Sequence, residues 1–327
     1  MVYPPPYGYT IIAVKSTVPV GTCDLLEKCL RESHQQAHFD VVSLPEFFRE
    51  GFTLKDFFEP SRVIIGTNSA RAQEALRQLY GAFIPEQKLL FTTRTSSEMI
   101  KYAANSFLAM KLSFINQIAN LCEKVDADIL EVAKGIGMDP RIGEQFLTPG
   151  PGYGGSCLPK DTLAFSLLGR KYNANLDLID ASIQANTMHT KAMSDKILKE
   201  LVNIQKPVIA ILGLAFKGGT DDCRQSPAIE IVKNLLKSGA RIRAFDPKAM
   251  DSAKEFLAQR VEYASSAQEA LQGADAVAIL TEWQEFSALS LESFKTLMKG
   301  SFVFDLRNML DKKRALELGL QYQGIGR

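Results

Sequence analysis

The stretch Gly150-Pro-Gly-Tyr-Gly-Gly-Ser-Cys157-Leu-Pro-Lys160-Asp161 gathers the residue types best suited to chemistry. Four of its first six residues are glycine, so its backbone can approach a ligand closely and turn N–H groups inward. Cys157 ends that loop, and Pro159 falls in the first turn of the helix that must follow. A thiol at a helix N-terminus, with Lys160 three residues on, is in a setting that favours a thiolate nucleophile. Asp161, one helical turn beyond Cys157, is placed to hold a water over the same site. The plainer alternative is a buried structural cysteine beside a glycine-rich turn.

Four further stretches carry weaker signals. In Glu98-Met-Ile-Lys101-Tyr-Ala-Ala-Asn105, Lys101 and Asn105 are four apart on one helical face. A cation and an amide donor there would stabilise an oxyanion formed when a thiolate attacks a carbonyl; a solvated Lys/Asn pair is the alternative. Leu44-Pro45-Glu46-Phe47-Phe48-Arg49-Glu50-Gly51 follows a strand signal, where open α/β sheets place ligand contacts. Its two carboxylates could handle a proton and hold a polar substrate, or belong to an ordinary charged loop. Lys15-Ser16-Thr17-Val-Pro-Val-Gly21-Thr22 leads from a strand into a helix, so its hydroxyls and N–H groups could meet a phosphate or cofactor. Gly213-Leu-Ala215-Phe-Lys217-Gly218 is a degenerate GxGxxG whose continuation through Arg224 to Ser226-Pro227 delays the helix. Lys217 and Arg224 there are suited to neutralising a pyrophosphate.

The elements that must position these residues alternate in type. Up to about residue 93, apolar runs at Thr10–Val14, Phe39–Leu44, Arg62–Gly66 and Lys88–Phe91 read as strands, with helices at Cys23–Arg31 and Ala70–Ala82. Residues 94–203 read as helical. One long amphipathic helix covers about 96–125, its apolar stripe running through Ile100, Ala103, Phe107, Phe114, Ile118, Leu121 and Val125. Shorter helices are expected over 127–135 and from the Cys157 loop to Tyr172, then a second long one over Leu176–Val202. From 204 to 327 a β-α-β pattern returns, with strands at Val208–Leu212, Arg241–Phe245, Asp275–Leu280 and Ser301–Phe304. Ser226 as N-cap, Pro227 at N1 and Gly239 past the end punctuate its first helix. The fold class is therefore α/β: a partial Rossmann-like sheet, a central helical connector suited to dimerisation, and a C-terminal doubly wound Rossmann-like domain.

Composition narrows the function classes. In 327 residues, 38 basic and 37 acidic side chains leave a net charge of +1, so no global field recruits nucleic acid or an anionic membrane. The apolar runs are strand-length and too short to span a bilayer. Five scattered cysteines form no CxxC pair or Cys/His cluster, which gives neither a zinc site nor a disulfide framework and fits a reducing cytoplasm. The N-terminus lacks a secretory pattern. His34, His38 and His189 all have polar neighbours and read as surface residues.

Several ordered runs resemble one family. KSTVPVGT, PEFFREG, EMIKYAANSFLAMKLSFINQIANLCEKV, DPRIG, GPGYGGSCLPKD, GLAFKGGTDDCRQSP, ADAVAILTEWQEF and the closing YQGIGR span nearly the whole chain. Together they resemble the UDP-glucose/GDP-mannose dehydrogenase family, and the PEFFREG and GPGYGGSC forms favour its UDP-glucose branch. The resemblance implies NAD-dependent, four-electron oxidation of UDP-glucose to UDP-glucuronate, with no metal and no histidine. Cys157 would attack the aldehyde formed by the first hydride transfer, and the thiohemiacetal would give a thioester that water cleaves. Lys101 would stabilise the developing alkoxide, with Asn105 assisting; Asp161 and Thr17 would position water; Glu50, with Glu46, would act as base. Substrate contacts would come from Glu46, Phe47, Phe48, Arg49, Glu50, Lys101, Asn105, Phe146, Leu147, Thr148, Pro149, Gly150, Gly154 and Lys217. Arg307 joins them, in an FDLRN run where relatives carry DGRN, and Arg141 would reach a partner's sugar nucleotide across a homodimer. Cofactor contacts would be Thr17, Glu50, Lys160 and Arg224.

Family members precede KSTVPVGT with a GxGxxG turn and further βα units, whereas here that run begins at Lys15. The expectation is a chain that lacks the first half of the cofactor domain, opens on an unrelated Tyr3–Tyr7 stub and presents a sheet edge. Two alternatives to UDP-glucose oxidation stay open on that basis. One is a non-catalytic sugar-nucleotide-binding or dimerisation module; the other is a dehydrogenase of a different UDP-hexose.

Overall fold

The computed structural model describes Gly8–Arg327, so the Tyr3–Tyr7 stub lies outside the described residues. The chain divides into two compact units. The first takes in the chain up to Ser106 together with Leu167–Ala174. Its strands β1 (Thr10–Val14), β2 (Phe39–Ser43), β3 (Val63–Gly66) and β4 (Leu89–Thr92) alternate with helices α1 (Thr22–Ser33), α2 (Thr53–Phe58) and α3 (Ala70–Gly81). They form one sheet in the order β1-β2-β3-β4. β1 and β2 pair in parallel, as do β3 and β4, while β2 meets β3 antiparallel through Ser43 and Gly66. Successive strand residues face opposite sides of the sheet. Val42, Leu44 and Ile65 pack with Ala72, Leu76 and Tyr80 of α3, and Phe39 and Val41 pack on the other face with Cys23, Leu26 and Leu30 of α1.

Helix α4 (Arg94–Val125) continues the chain from the first unit into the second. Its burial reverses the face that its hydrophobic pattern marks. Phe107, Phe114, Leu121 and Val125 are 57%, 49%, 57% and 61% exposed, whereas Ser97, Glu98, Lys101, Asn105, Ser113 and Asn116 are buried. The helix turns inward a face that mixes these polar residues with Tyr102, Ala109, Ile115, Ala119 and Cys122, and leaves a near-heptad apolar stripe uncovered.

The second unit comprises Phe107–Ser166 and Asn175–Arg327. It begins with α5 (Ile129–Gly137), α6 (Leu158–Lys171) and α7 (Asp177–Glu200). Then follow β5 (Val208–Leu212), α8 (Pro227–Lys237), β6 (Arg241–Phe245), α9 (Met250–Leu257), β7 (Glu262–Tyr263) and α10 (Ala267–Leu271). The last part is β8 (Ala276–Ile279), α11 (Gln284–Ser287), α12 (Leu291–Leu297), β9 (Phe302–Asp305), α13 (Lys312–Glu317) and β10 (Gln321–Gln323). All six strands pair in parallel in the order β10-β9-β8-β5-β6-β7. That is the doubly wound Rossmann order, with its switch point between β5 and β8. Alternation again makes two cores. Ile209, Ile211 and Ala278 pack with Ile231 and Leu235 of α8 and with Ile115 and Ile197, while Ala210, Leu212 and Ile279 pack with Phe286 and Phe294. Ser226 caps α8 as expected, its hydroxyl accepting from Ala228 N, with Pro227 behind it.

Among the described residues, no helix is long and apolar enough to cross a membrane, and no group of three or more His, Cys, Asp or Glu could hold a metal ion.

Candidate active site

In the first unit, the loops after β1 and β2 carry the candidates. The first loop ends at Gly21, whose left-handed backbone (φ 92°) opens α1. No side chain of Gly21 can cap that helix, and Glu98 of α4 does so instead. Its buried carboxylate accepts from Gly21 N at 2.6 Å and Cys23 N at 2.9 Å, which satisfies donors the helix start leaves open. Thr17 lies half-buried on this loop, between β1 and the Glu98 anchor.

Lys101 follows Glu98 by one turn and is 4% exposed, so the solvated pair considered for Lys101 and Asn105 is overturned: both are buried. The Lys101 ammonium lies 3.6 Å from Glu46 and 5.0 Å from the centre of the Phe47 ring. The guanidinium of Arg62 sits over that same ring at 4.0 Å, and Lys15 over Phe48 at 5.7 Å. Burial pulls the Lys15 ammonium below its usual range, against the attraction of Glu46. Two lysines therefore attend the Glu46 carboxylate, while Arg62 covers the neighbouring Phe47 ring. Arg62 was missed by motif reading because it opens an ordinary strand. Arg49 stands apart, exposed and forked onto Asp56 with bonds of 3.0 and 2.7 Å, and Glu50 is half-buried.

In the second unit, the candidates surround the glycine loop. Leu147, Pro149, Gly150 and Gly154 are buried, Thr148 is exposed, and Phe146 adopts a left-handed backbone (φ 63°). A Cβ on Gly154 would stand 2.4 Å from the Gln225 carbonyl, and Gly155 (φ 85°) lies against the Phe216 ring. Gly154→Ala is expected to cost about 1–3 kcal/mol, because backbone rather than a flexible side chain would have to yield; urea unfolding would check it. Cys157 emerges exposed at the N-cap position of α6, its carbonyl accepting from Asp161 N at 2.9 Å. Asp161 is buried and paired with Lys160. The other cysteines contrast with this one where they are deepest: burial pushes the Cys23 and Cys223 thiols up to about 12, so neither is a nucleophile at neutral pH.

The loop is also pinned from α7 and α4. Asn186 accepts from Tyr153 N at 2.8 Å and donates to the Tyr153 carbonyl at 3.0 Å; Thr190 donates to the Pro151 carbonyl at 2.9 Å. Asn116 accepts from Gly150 N at 2.9 Å. His189 is buried, which corrects its reading as a surface residue: Nε2 lies 2.9 Å from the Gly150 carbonyl and Nδ1 3.3 Å from the Asn120 amide. A carbonyl only accepts, so Nε2 carries the proton, and with the Asn120 amide nitrogen facing it Nδ1 is the acceptor of a neutral ring.

Burial pulls the His189 ring below its ordinary range of about 6.5. The folded protein thus binds fewer protons than the unfolded chain as pH falls through that value, and stability present above it is lost below it. We expect His189→Gln to remove an acid-side slope of at most about 1.4 kcal/mol per pH unit, read from urea midpoints between pH 7.5 and 5.5.

The switch point of the large sheet is tied off by Arg307. Its guanidinium donates to the carbonyls of Leu280 and Phe216, both at 2.9 Å, and pairs with Glu282 at 3.0 Å. Leu306, the departure within the FDLRN run, is a fully buried core residue. Lys217 stands half-buried beside the Phe216 ring, and Arg224 is exposed and forked onto Asp222. Arg141 is likewise exposed, its guanidinium engaged by Asp139.

Asp246, at the end of β6, stands where a dinucleotide fold places its ribose-binding acid. Here its carboxylate is buried and accepts from the N–H groups of Leu214, Ala215, Lys248 and Ala249 and from the Trp283 indole. The degenerate glycine turn after β5 is therefore held by the acid that would otherwise hold a ribose. This sheet is not built as a dinucleotide site.

Fold and sequence match known proteins in the same order. Residues 6–84, 95–188 and 210–312 match the NAD binding, central and UDP binding domains of the UDP-glucose/GDP-mannose dehydrogenase family. The chain is 45% identical over 324 residues to the UDP-glucose 6-dehydrogenase of Rhizobium meliloti (strain 1021), covering 98% of this chain and 74% of that protein. It is 44% identical to UDP-glucose 6-dehydrogenase YwqF of Bacillus subtilis (strain 168), covering 97% and 72%. The structure of a UDP-glucose dehydrogenase from the archaeon Pyrobaculum islandicum superposes with a TM-score of 0.89 at 35% identity, covering 98% of this chain and 71% of that one. A nucleotide-sugar oxidoreductase with a Rossmann-type NAD domain is the class that fold and matches define. The chain belongs to the UDP-glucose/GDP-mannose dehydrogenase family, and NAD is the cofactor its first domain serves.

Proposed function

We propose that this chain oxidises UDP-glucose to UDP-glucuronate in two NAD-dependent steps through a cysteine adduct. The observation that carries the reading is Cys157: an exposed thiol at a helix N-cap, at the end of a pinned glycine loop. When bound, NAD accepts one hydride from C6 in each step. The buried Lys101 ammonium, with Asn105, stabilises the alkoxide as the C6 hydroxyl loses its proton. Cys157 Sγ adds to the aldehyde carbon and gives a thiohemiacetal, which a second hydride loss turns into a thioester. Asp161 and Thr17 hold the water, Glu50 with Glu46 takes its proton, and the thiolate leaves. The negative end of the reaction is favoured at Cys157 by the N-terminus of α6.

The residues after β1 support the reading of NAD binding. Thr17 and Lys15 stand at the carboxyl end of β1, where α/β sheets bind ligands, and Glu50, Lys160 and Arg224 complete the proposed contacts. Glu46 to Glu50, Phe146 to Gly150, Gly154, Lys217 and Arg307 take the sugar nucleotide, within domains at 1–93, 94–203 and 204–327. The uncovered stripe on α4 suits a homodimer interface, with Arg141 serving a partner's substrate, and the five free cysteines suit the cytoplasm.

The test is stoichiometry. Two NAD should be reduced per UDP-glucose consumed, with UDP-N-acetylmannosamine and GDP-mannose turned over far more slowly, since contacts to the sugar hydroxyls decide the choice. Preferred turnover of another sugar would reassign the substrate. UDP-glucose binding by calorimetry with no NAD reduction would mark a non-catalytic binding module instead.

A further inference from the structure

Three of the side chains that pin the glycine loop belong to no motif of the sequence, yet they form a single row. Asn186, His189 and Thr190 are spaced i, i+3, i+4 on α7 and so share one helical face. Between them they bond Gly150, Pro151 and Tyr153, while Asn116 holds Gly150 from the other side. A loop this rich in glycine has more backbone freedom to lose than any other composition, so its shape has to be imposed by its neighbours. The side chain of Thr190 also lies where Gly152 has no Cβ, 2.6 Å from the position one would take. The face of α7 and the loop are thus matched in shape as well as in hydrogen bonding.

We propose that Asn186, His189 and Thr190 are positioning residues for the reaction, acting as a template that fixes Gly150–Tyr153 and thereby sets the sugar-nucleotide contacts and the presentation of Cys157. This rests on the reading of Cys157 as the nucleophile. His189 is the member whose replacement is most telling. Around its ring stand the Gly150 carbonyl, Asn120 and Glu123 from α4, and Lys196 from α7. Only the neutral ring accepts from Asn120 while donating to Gly150. Loss of the Nε2 donor leaves a buried carbonyl unpaired and frees the loop at its first glycine.

The test compares His189→Leu, His189→Gln and Thr190→Val in the full chain. Glutamine retains a neutral N–H donor. We expect His189→Leu to raise KM for UDP-glucose about tenfold while KM for NAD stays within about twofold, and His189→Gln to restore most of the loss. Thr190→Val, close to isosteric, should shift the same constant in the same direction. The acid limb of the kcat/KM profile should flatten in His189→Gln. A second readout needs no turnover: alkylation of Cys157 relative to Cys29, the other exposed cysteine, should change at least threefold in His189→Leu and stay at the wild-type ratio in His189→Gln.

A merely structural role gives a different result: kcat falls with the folded fraction, both KM values hold, and the Cys157 to Cys29 ratio is unchanged. That result in His189→Leu and Thr190→Val overturns the proposal; if the leucine variant does not fold, the valine variant decides alone. A wild-type chain inactive on UDP-glucose would defeat the reading of function, whereas the alkylation ratio would still decide the template.

Discussion

Cys157→Ala is expected to lower net NADH formation from UDP-glucose by roughly three orders of magnitude or more, the scale on which enzymes lose rate when a covalent nucleophile is removed. The reason lies in the second oxidation. An aldehyde cannot deliver a hydride and become an acyl group until a nucleophile has added to its carbon, and Cys157 Sγ is the atom assigned to that addition. Cys157 is exposed at the start of α6, so its replacement leaves the core untouched and folding stability should shift by less than about 0.5 kcal/mol. UDP-glucose affinity should likewise hold, which separates lost chemistry from lost binding. Cys157→Ser keeps the shape with a poorer nucleophile and should accumulate an ester on the new hydroxyl. Full activity in the serine variant, with no trapped adduct, would defeat the thioester route.

Lys101→Met should lower kcat by about 10²–10³, the typical effect of deleting one oxyanion-stabilising group. Methionine keeps much of the volume and removes the charge. Lys101 is 4% exposed and stands 3.6 Å from Glu46, so its charge acts where water screens little. The effect should fall mainly on kcat, because the alkoxide that Lys101 meets exists only as the reaction proceeds. A variant within tenfold of wild type in kcat, at unchanged KM, would assign Lys101 to holding Glu46 and Phe47 in place rather than to the reaction.

Much of this arrangement was legible in the residues. β1, β5 and β6 run between the residues expected: β5 is an apolar run buried along nearly its whole length between Pro207 and Gly213, and β6 is bounded by Gly239 and by Asp246-Pro247. The cap of α8 was legible for a local reason, since Ser226 and Pro227 act within their own turn. The burial of α4 was not legible. Periodicity reports which face is apolar, not which face is covered, and here buried Glu98, Lys101, Asn105 and Asn116 occupy the covered one. His189 was misread for a related reason: its neighbours Met188 and Lys191 are exposed, and only the carbonyl of Gly150, 39 residues distant, shows why it is inside. Asp246 was passed over because its partners lie in loops after β5, β6 and β8. The short helices α10 to α13 span four to seven residues, too few for a 3.6-residue period to emerge.

The central claim is that C6 of the sugar becomes bonded to the sulfur of residue 157, and acid quenching during turnover examines it most directly. Chain mixed with UDP-glucose and excess NAD, stopped within the first turnover and digested, should yield the Leu147–Lys160 region carrying a UDP-sugar mass as a thioester on Cys157, released by hydroxylamine. A first turnover that forms NADH and free UDP-aldehyde while every cysteine-containing peptide stays unmodified would contradict it.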